Sequence, residues 1–191
     1  MSEDWMQAWQ PMVDAVGRDF STGDPVPGAD PVERSTIRRW LEPLEFDCAL
    51  HYDPEVARAY GHPDVIAPYA SLLMWTIPAM WSPGQRLFDS AERNAQPTTS
   101  PINDRGLELA PPTTGFFATD MEMDFVRAAT VGEHLSERGR VLLSCVPKQT
   151  AVGRGAFMTW QSEIVDATGD VLARVRVTLY AYQPVAAEVS A

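Results

Sequence analysis

The fifteen residues from Ala67 to Trp81 (APYASLLMWTIPAMW) place apolar side chains on every face of a helix. A helix without a polar side must be buried all round, so it requires a second layer of structure wrapped about it. We expect Pro78 to kink or end this helix, because proline removes a backbone hydrogen-bond donor. At 191 residues the chain is long enough for one domain with a sizeable core.

The second half of the chain supplies the wrapping layer as half-buried strands. Apolar and polar residues alternate in three segments, Met121 to Phe125, Met158 to Ile164 and Val171 to Ala181. A period of two is typical of antiparallel strands with one buried face. The sequence DATGD at 166–170 predicts a hairpin turn between the last two strands, and a further long strand is expected over His134 to Val146.

The first half of the chain predicts several short helices. An amphipathic helix is expected over residues 1–17, and a turn-rich linker follows it. A second helix from about Val32 should place four apolar residues on its core side, namely Ile37, Trp40, Leu41 and Leu44. Asp53-Pro54-Glu55 predicts a third helix, because an acidic N-cap, a first-turn proline and a first-turn acid all favour a helix start. Ser82 to Thr114 has little periodicity and is predicted to be disordered or a functional lid.

The distribution of charge is more informative than the net charge of −11, which itself argues against nucleic acid as a partner. No acidic residue occurs from Arg138 to Ser162, a segment that holds Arg140, Arg154 and the only lysine, Lys148. Two interpretations stay open, a basic strand face that balances acids elsewhere, or a site for a polyanion such as a nucleotide-bearing thioester.

Other compositional features narrow the class of protein. No run approaches 18 apolar residues, so we expect neither a membrane partner nor a spanning helix. Cys48 and Cys145 form no disulfide framework, and the three histidines lack zinc-ligand spacing. We therefore predict a cytoplasmic protein without a metal site.

Two long stretches of the sequence resemble the MaoC-like dehydratase family. The first is STIRRWLEPLEFDCALHYDPEVARAYGHPDVIAPYASLLMW, which contains Asp53-Pro54-Glu55 and Ile66-Ala67-Pro68. The second combines TGFFATDMEMDFVRAATVGEHL with PKQTAVGRGAFMTW. Within the family, the chain is similar to the larger MaoC-like subunits of actinobacterial steroid side-chain enoyl-CoA hydratases.

The resemblance implies an α+β protein with a single hot-dog fold, in which an antiparallel sheet wraps around a central buried helix. The expected division is an N-terminal helix and linker over 1–30, a hot-dog domain over 31–184, and a flexible tail over 185–191. The implied reaction is hydration of a trans-2-enoyl-CoA, or its reverse. Coenzyme A enters as part of the substrate, and no separate cofactor is expected.

The family reaction uses an aspartate and a histidine as an acid/base pair around one water molecule. In this sequence the family histidine corresponds to His51, whereas the family aspartate corresponds to Phe46, which cannot transfer a proton. Asp47 lies four residues before His51 and offers a shortened dyad. An alternative interpretation of His51 is a partly buried histidine that bonds to the backbone.

Acyl-CoA binding is predicted at two places. Backbone N–H groups at the start of the central helix (Ala67, Pro68 and Tyr69) suit the thioester oxyanion, because a helix start is a site of positive potential. An acyl pocket is expected nearby, lined by Met74, Trp75, Met80 and Trp81. The second place is the basic turn, defined here as residues 148–155. It is expected to bind the coenzyme A phosphates through Lys148, Gly153, Arg154 and Gly155, since glycine allows the backbone to approach a phosphate closely.

Three functions remain open. The preferred one is a subunit of a heteromeric enoyl-CoA hydratase acting on a bulky steroid-type acyl chain. In this hypothesis the chain binds acyl-CoA, and a smaller MaoC-like partner in a heterodimer or heterotetramer supplies the Asp/His dyad. The alternatives are a self-sufficient (R)-specific hydratase that uses His51 with Asp47, and a non-catalytic acyl-CoA-binding or assembly subunit.

Overall fold

The computed structural model describes residues 4–21, 23–98 and 107–184. The helices are α1 (Asp4–Gln7), α2 (Gln10–Asp14), α3 (Arg34–Leu41), α4 (Pro54–Ala59), two single 3₁₀ turns (Glu42–Leu44 and Ala49–His51), and a central 3₁₀ helix (Tyr69–Thr76). The strands are β1 (Gly115–Phe125), β2 (Ser136–Gln149), β3 (Gly153–Val165) and β4 (Val171–Pro184). The predicted tail at 185–191 lies outside the described residues, as does part of the predicted loop from Ser82 to Thr114.

The strands form one antiparallel sheet in the order β1-β4-β3-β2. All three alternating segments and the fourth strand are therefore confirmed, as is the hairpin turn at 166–170 between β3 and β4. Residues 17–21 and 23–28 lie along the outer side of β2 and bond to it in two places, through isolated bridges Asp19 to Val141 and Pro27 to Ser136. These residues thus cover the outer edge of β2 from Ser136 to Leu142.

The central helix is shorter than its sequence predicts. It ends at Thr76, because Ile77 adopts an extended conformation ahead of Pro78, as residues before proline commonly do. Leu72 and Trp75 are buried, whereas Met80 and Trp81 are 40% and 49% exposed. The prediction that Pro78 would end the helix is therefore confirmed, whereas the predicted burial of Met80 and Trp81 was wrong.

Two apolar clusters form the core. In the first, the central helix and α3 pack on the sheet through Ile37, Leu41, Leu72, Trp75 and Ile164. In the second, Trp9 and Met12 of the N-terminal helices pack on β2, β3 and β4 around Leu142, Met158 and Trp160. The predicted burial of Trp40 and Leu44 was wrong. Trp40 lies off the face of α3 that buries Ile37 and Leu41, and Leu44 lies in the 3₁₀ turn after the helix. The proposed domain boundaries at residues 30 and 184 stay predictions.

The loop between β1 and β2 is fixed by a network of ion pairs. Arg127 contacts Glu133 at 2.8 Å and Asp166 at 2.6 Å, and Glu133 also accepts a hydrogen bond from the backbone N–H of Thr130. Burial by itself raises the pKa of Asp166, but hydrogen bonds from Thr168 and the Arg127 guanidinium outweigh it and lower that pKa. Backbone hydrogen bonds from Ala67 N–H to Ala129 O and from Val131 N–H to Val65 O hold this loop against the chain segment that leads into the central helix.

Within the described ranges, no helix combines the length and apolar character needed to span a bilayer.

Candidate active site

His51 is held at the base of the segment that leads into the central helix. Its Nδ1 lies 2.8 Å from the carbonyl oxygen of Ile66, and the ring is only 9% exposed. The backbone N–H of Ile66 donates in turn to Leu50 O at 3.2 Å. Because a carbonyl oxygen can only accept, the Nδ1 atom must carry the proton in this contact. When the ring is neutral, its lone pair therefore lies on Nε2, which is the form a general base requires.

No carboxylate stands beside this imidazole in the described part of the chain. The ring of Phe46 lies 5.7 Å from the His51 ring, centroid to centroid. Asp47 is exposed, and among the described residues it makes no hydrogen bond or ion pair. The hydroxyl of Tyr52 donates to the Phe46 carbonyl at 2.9 Å and closes the loop. The structure therefore brings Phe46, rather than Asp47, next to His51.

The start of the central helix offers different backbone donors from those predicted. The N–H of Ala67 donates to Ala129 O at 2.8 Å, so it is already used, and Pro68 has no N–H. Within the described residues, the N–H groups of Tyr69 and Ala70 have no partner, and both residues are exposed. These two groups at a helix start suit a developing oxyanion. The sequence did not predict Ala70 as a donor. The Ile66-Ala67-Pro68 motif marks where the helix starts, but it does not show which backbone N–H groups lack a partner.

A cavity of about 380 Å³ lies on the inner face of the sheet beyond the far end of the central helix. Apolar side chains from the helix and from β1, β3 and β4 line it, including Leu73, Ile77, Phe116, Met158, Trp160 and Leu179. Arg138 and Arg140 lie at its β2 side. The predicted lining residues Met74, Trp75, Met80 and Trp81 are not among those that line it, because the helix turns its other side to the cavity.

The basic turn lies at the β2–β3 hairpin. Lys148 faces the ring of Phe157 at 5.9 Å and has no ion-pair partner within the described ranges. Arg154 Nε donates to the Gln149 side chain at 3.1 Å, and its guanidinium lies 6.0 Å from the Trp5 ring. Both cations are therefore available to an anionic ligand.

The glycines of this turn are required by the packing of the strands, whereas the sequence predicted that they allow a phosphate to approach the backbone. A Cβ atom at Gly155 would collide with the carbonyl of Ala181 and would stand 2.7 Å from the Cα of Tyr182. A Cβ atom at Gly153 would collide with Gln183 O. Close packing of β3 against β4 thus requires both glycines, whether or not a phosphate approaches them.

The two predicted acyl-CoA contacts lie at opposite ends of the sheet. Tyr69 packs on Phe125, which is in register with Ala173 of β4, whereas Gly155 is in register with Tyr182. Nine extended residues separate these β4 positions, about 30 Å. The pantetheine arm of coenzyme A matches only four or five extended residues, about 15 Å. The two predicted contacts are therefore separated along β4 by about twice the length of one pantetheine arm.

Within the described ranges, no group of three or more histidine, cysteine or acidic side chains could hold a metal ion. Both cysteines are free thiols. Burial raises the pKa of Cys145 to about 11, so its thiolate is scarce at neutral pH.

The sequence profile described as FAS1-like, dehydratase domain region, matches residues 15–175. The chain belongs to this dehydratase family. The resemblance to MaoC-like dehydratases and the single hot-dog fold are thereby confirmed.

Two relatives of this chain are named as alpha subunits. A probable enoyl-CoA hydratase alpha subunit of Thermomonospora curvata is 32% identical over 180 residues, covering 94% of this chain and 51% of that protein. A 3-oxo-4,17-pregnadiene-20-carboxyl-CoA hydratase alpha subunit of Mycobacterium tuberculosis is 32% identical over 141 residues, covering 74% of this chain and 41% of that protein. The chain thus spans about half the length, or less, of these curated relatives.

A solved structure shares the whole architecture. A chain in the crystal structure of the ChsH1-ChsH2 complex from Mycobacterium tuberculosis matches with a TM-score of 0.65 at 25% identity. The match covers 95% of this chain and 98% of that chain. The fold of this chain is therefore shared with a solved structure over nearly the whole length of both chains.

Proposed function

We propose that this dehydratase-family chain is one subunit of a heteromeric enoyl-CoA hydratase, whose partner chain supplies the complete Asp/His dyad. The observation that carries the proposal is the half-formed dyad, with His51 correctly oriented and Phe46 beside it in place of a carboxylate. The names of two relatives as hydratase alpha subunits support a partner-dependent assignment.

Hydration of a trans-2-enoyl thioester requires two proton transfers. The water oxygen bonds to C3 while a base takes its proton, and an acid then protonates C2 as the enolate collapses to the thioester. His51 Nε2 can accept one proton, but Phe46 has no proton to give and Asp47 does not contact the histidine. A single chain therefore provides at most one of the two proton-transfer groups.

The cavity supports a bulky acyl group as the substrate of the complex. Its volume of about 380 Å³ falls in the range of ligand pockets, and its wall is mainly apolar. The central helix stops at Thr76, so the chain leaves this space on the inner face of the sheet unfilled by side chains. A steroid-type polycyclic acyl chain suits such a space better than a short linear chain does, because flat apolar rings bury more area.

The basic hairpin supports a role in binding coenzyme A for the partner's reaction. Lys148 and Arg154 stand about 30 Å along the sheet from the start of the central helix, beyond the reach of one pantetheine arm. A coenzyme A held at this hairpin would place its thioester in a site other than the one at His51. We assign that site to the partner subunit.

The decisive experiment measures hydration of crotonyl-CoA and of a steroid-type trans-2-enoyl-CoA by each chain alone and by the mixture. The partner is a smaller MaoC-like chain, co-expressed with this one. We expect the isolated chain to turn over at about a hundredth of the rate of the mixture or less, the usual worth of a proton-transfer group.

The same experiment separates the two alternatives. Full turnover by the isolated chain would contradict the proposal and favour a self-sufficient hydratase that uses His51 with Asp47. If the partner alone is as active as the mixture, this chain is an acyl-CoA-binding or assembly subunit. Calorimetric titration of the mixture with coenzyme A then shows whether the chain contributes to binding.

A further inference from the structure

One buried hydrogen-bond donor in the wall of the cavity has no acceptor. The side chain of Trp160 is only 4% exposed, and its Nε1 is the one buried side-chain nitrogen or oxygen atom without a partner in the part of the chain that the structure describes. Two other indoles differ, since Trp75 Nε1 donates to Ser71 Oγ at 3.3 Å and Trp81 Nε1 donates to Gln85 O at 2.9 Å. A buried donor without an acceptor costs free energy, so a native protein seldom keeps one without a reason.

Trp160 lies in the middle of the cavity wall. Met158 and Ser162 flank it on the same face of β3, and Val177 is in register with it on β4. All four residues line the cavity. A ligand in the cavity therefore packs against the strand segment that carries the unpaired indole.

The side chains that pack on this indole offer no lone pair to its N–H. The guanidinium carbon of Arg140 lies 4.8 Å from the centroid of the Trp160 ring, and a guanidinium carries donors only. The ring of Phe20 meets the indole edge to face at 5.4 Å between centroids. The packing thus fills the space around the indole without supplying an acceptor atom.

An oxygen atom on an apolar ligand fits this position better than a water molecule does. A buried water generally needs about three polar partners, and the neighbouring Met158 and Val177 provide none. A ketone oxygen accepts only and can be satisfied by the indole alone, while the hydrocarbon part of its molecule covers the apolar wall. A hydroxyl group would bring a proton of its own that needs a further acceptor.

We propose that Trp160 is a specificity-determining residue, whose indole N–H donates to a ring ketone of the bulky acyl group that the cavity binds. The nitrogen is shielded from solvent in this structure, so the indole turns within the wall to meet the ligand. Because this donor has already lost its contact with water, the new bond requires no further desolvation of the protein. The inference deepens the proposed function by naming the substrate class, and it rests on that function only in taking the ligand to be an acyl group.

Binding of two bicyclic probes of the same shape tests this bond without any turnover. 2-Decalone and 2-methylenedecalin share two fused rings and differ only in C=O against C=CH₂. We expect Trp160→Phe to raise Kd of the full chain for 2-decalone about tenfold to a hundredfold, and to change Kd for 2-methylenedecalin only a few-fold. The second probe corrects for the change in cavity size. Trp81→Phe removes an exposed indole that already has an acceptor, so it should change neither Kd.

The indole N–H resonance of Trp160 provides a direct readout in ¹⁵N–¹H spectra of the same titrations. Trp160→Phe identifies the signal, and through-bond assignment of the wild-type chain identifies it if that variant does not fold. We expect 2-decalone to move the proton resonance downfield and 2-methylenedecalin to leave it nearly in place. An unmoved signal in the complex with 2-decalone, no binding of 2-decalone to the folded chain, or equal weakening of both probes by Trp160→Phe would each overturn the proposal. None of these measurements involves hydration, so their outcome is independent of the hydratase assay.

Discussion

At the scale of single residues, the orientation of His51 is set entirely by backbone. The Ile66 carbonyl fixes the protonated nitrogen, and the Ile66 N–H is itself anchored on Leu50. This arrangement agrees with the interpretation of His51 as a histidine bonded to the backbone. It also leaves Nε2 in the form that a general base uses, so geometry alone does not assign a catalytic role.

Substitution of His51 in the assembled complex decides that role. We expect His51→Ala to leave kcat within a few-fold of wild type, because the partner is proposed to supply both proton-transfer groups. A catalytic histidine would instead cost about 10²–10⁴-fold in kcat. Steady-state kinetics on the mixture provides the measurement.

Asp47→Asn is the matched control, since it keeps the size of the side chain and removes the carboxylate. We expect it to be mild as well. Severe and non-additive losses from both substitutions would contradict partner dependence and show that the two residues act as one unit. A severe His51 effect alone would mean that the active site spans the interface, with one catalytic group from each chain.

At the scale of elements, the sequence predicted the strands well and the central helix poorly. Alternation with period two identifies a strand directly, so all four strands were found. An all-apolar segment has no periodicity to mark its end, and only Pro78 hinted at it. The helix start after Asp53 was predicted correctly because a local contact forms it, with Asp53 Oδ1 accepting from Glu55 N–H at 2.8 Å.

The sequence predicted where the strands lie better than it predicted which of their faces are buried. The alternation in β1 predicted one buried face, yet Phe116, Met121 and Phe125 are exposed. A pattern shows that a face is apolar, but not which chain covers it. The site shows the same limit, since motifs located the helix start while the structure decided that Ala67 N–H is occupied and Ala70 N–H is free.

Gly155→Ala tests why the β2–β3 hairpin contains glycine. We expect a loss of about 1–3 kcal/mol in the free energy of unfolding, because the new methyl group meets the backbone of β4, which cannot move aside. Urea denaturation followed by circular dichroism measures the loss. Val152→Ala, at an exposed position of the same turn, should be nearly neutral. If Gly155→Ala leaves the free energy of unfolding unchanged, packing does not require this glycine, and close approach of a phosphate becomes the better explanation.

At the scale of the whole molecule, the two predicted acyl-CoA contacts lie at opposite ends of the sheet. The hairpin and the start of the central helix are about nine β4 residues apart. The cavity lies between them, and Phe116 of β1 forms part of its wall.

Removal of the Arg154 guanidinium should weaken coenzyme A binding by the assembled complex. We expect Arg154→Ala to raise Kd about tenfold, equivalent to about 1.4 kcal/mol, with a smaller dependence on salt than wild type. Isothermal titration at two ionic strengths measures both quantities. Arg39→Ala removes the same charge from the exposed side of α3 and should leave Kd unchanged. If both substitutions raise Kd equally, Arg154 acts only through the overall electrostatic field of the protein and does not contact coenzyme A.

The N-terminal segment that bonds to β2 has a consequence for growth of the sheet. A subunit with two open edges can add neighbours indefinitely and elongate into a fibre, whereas a subunit with one open edge can add only one. Residues 17–21 and 23–28 bond to the β2 edge between Leu135 and Leu142 through backbone hydrogen bonds of the same chain. They act like a chain terminator in a polymerisation, because a further strand cannot add where this segment is already bonded.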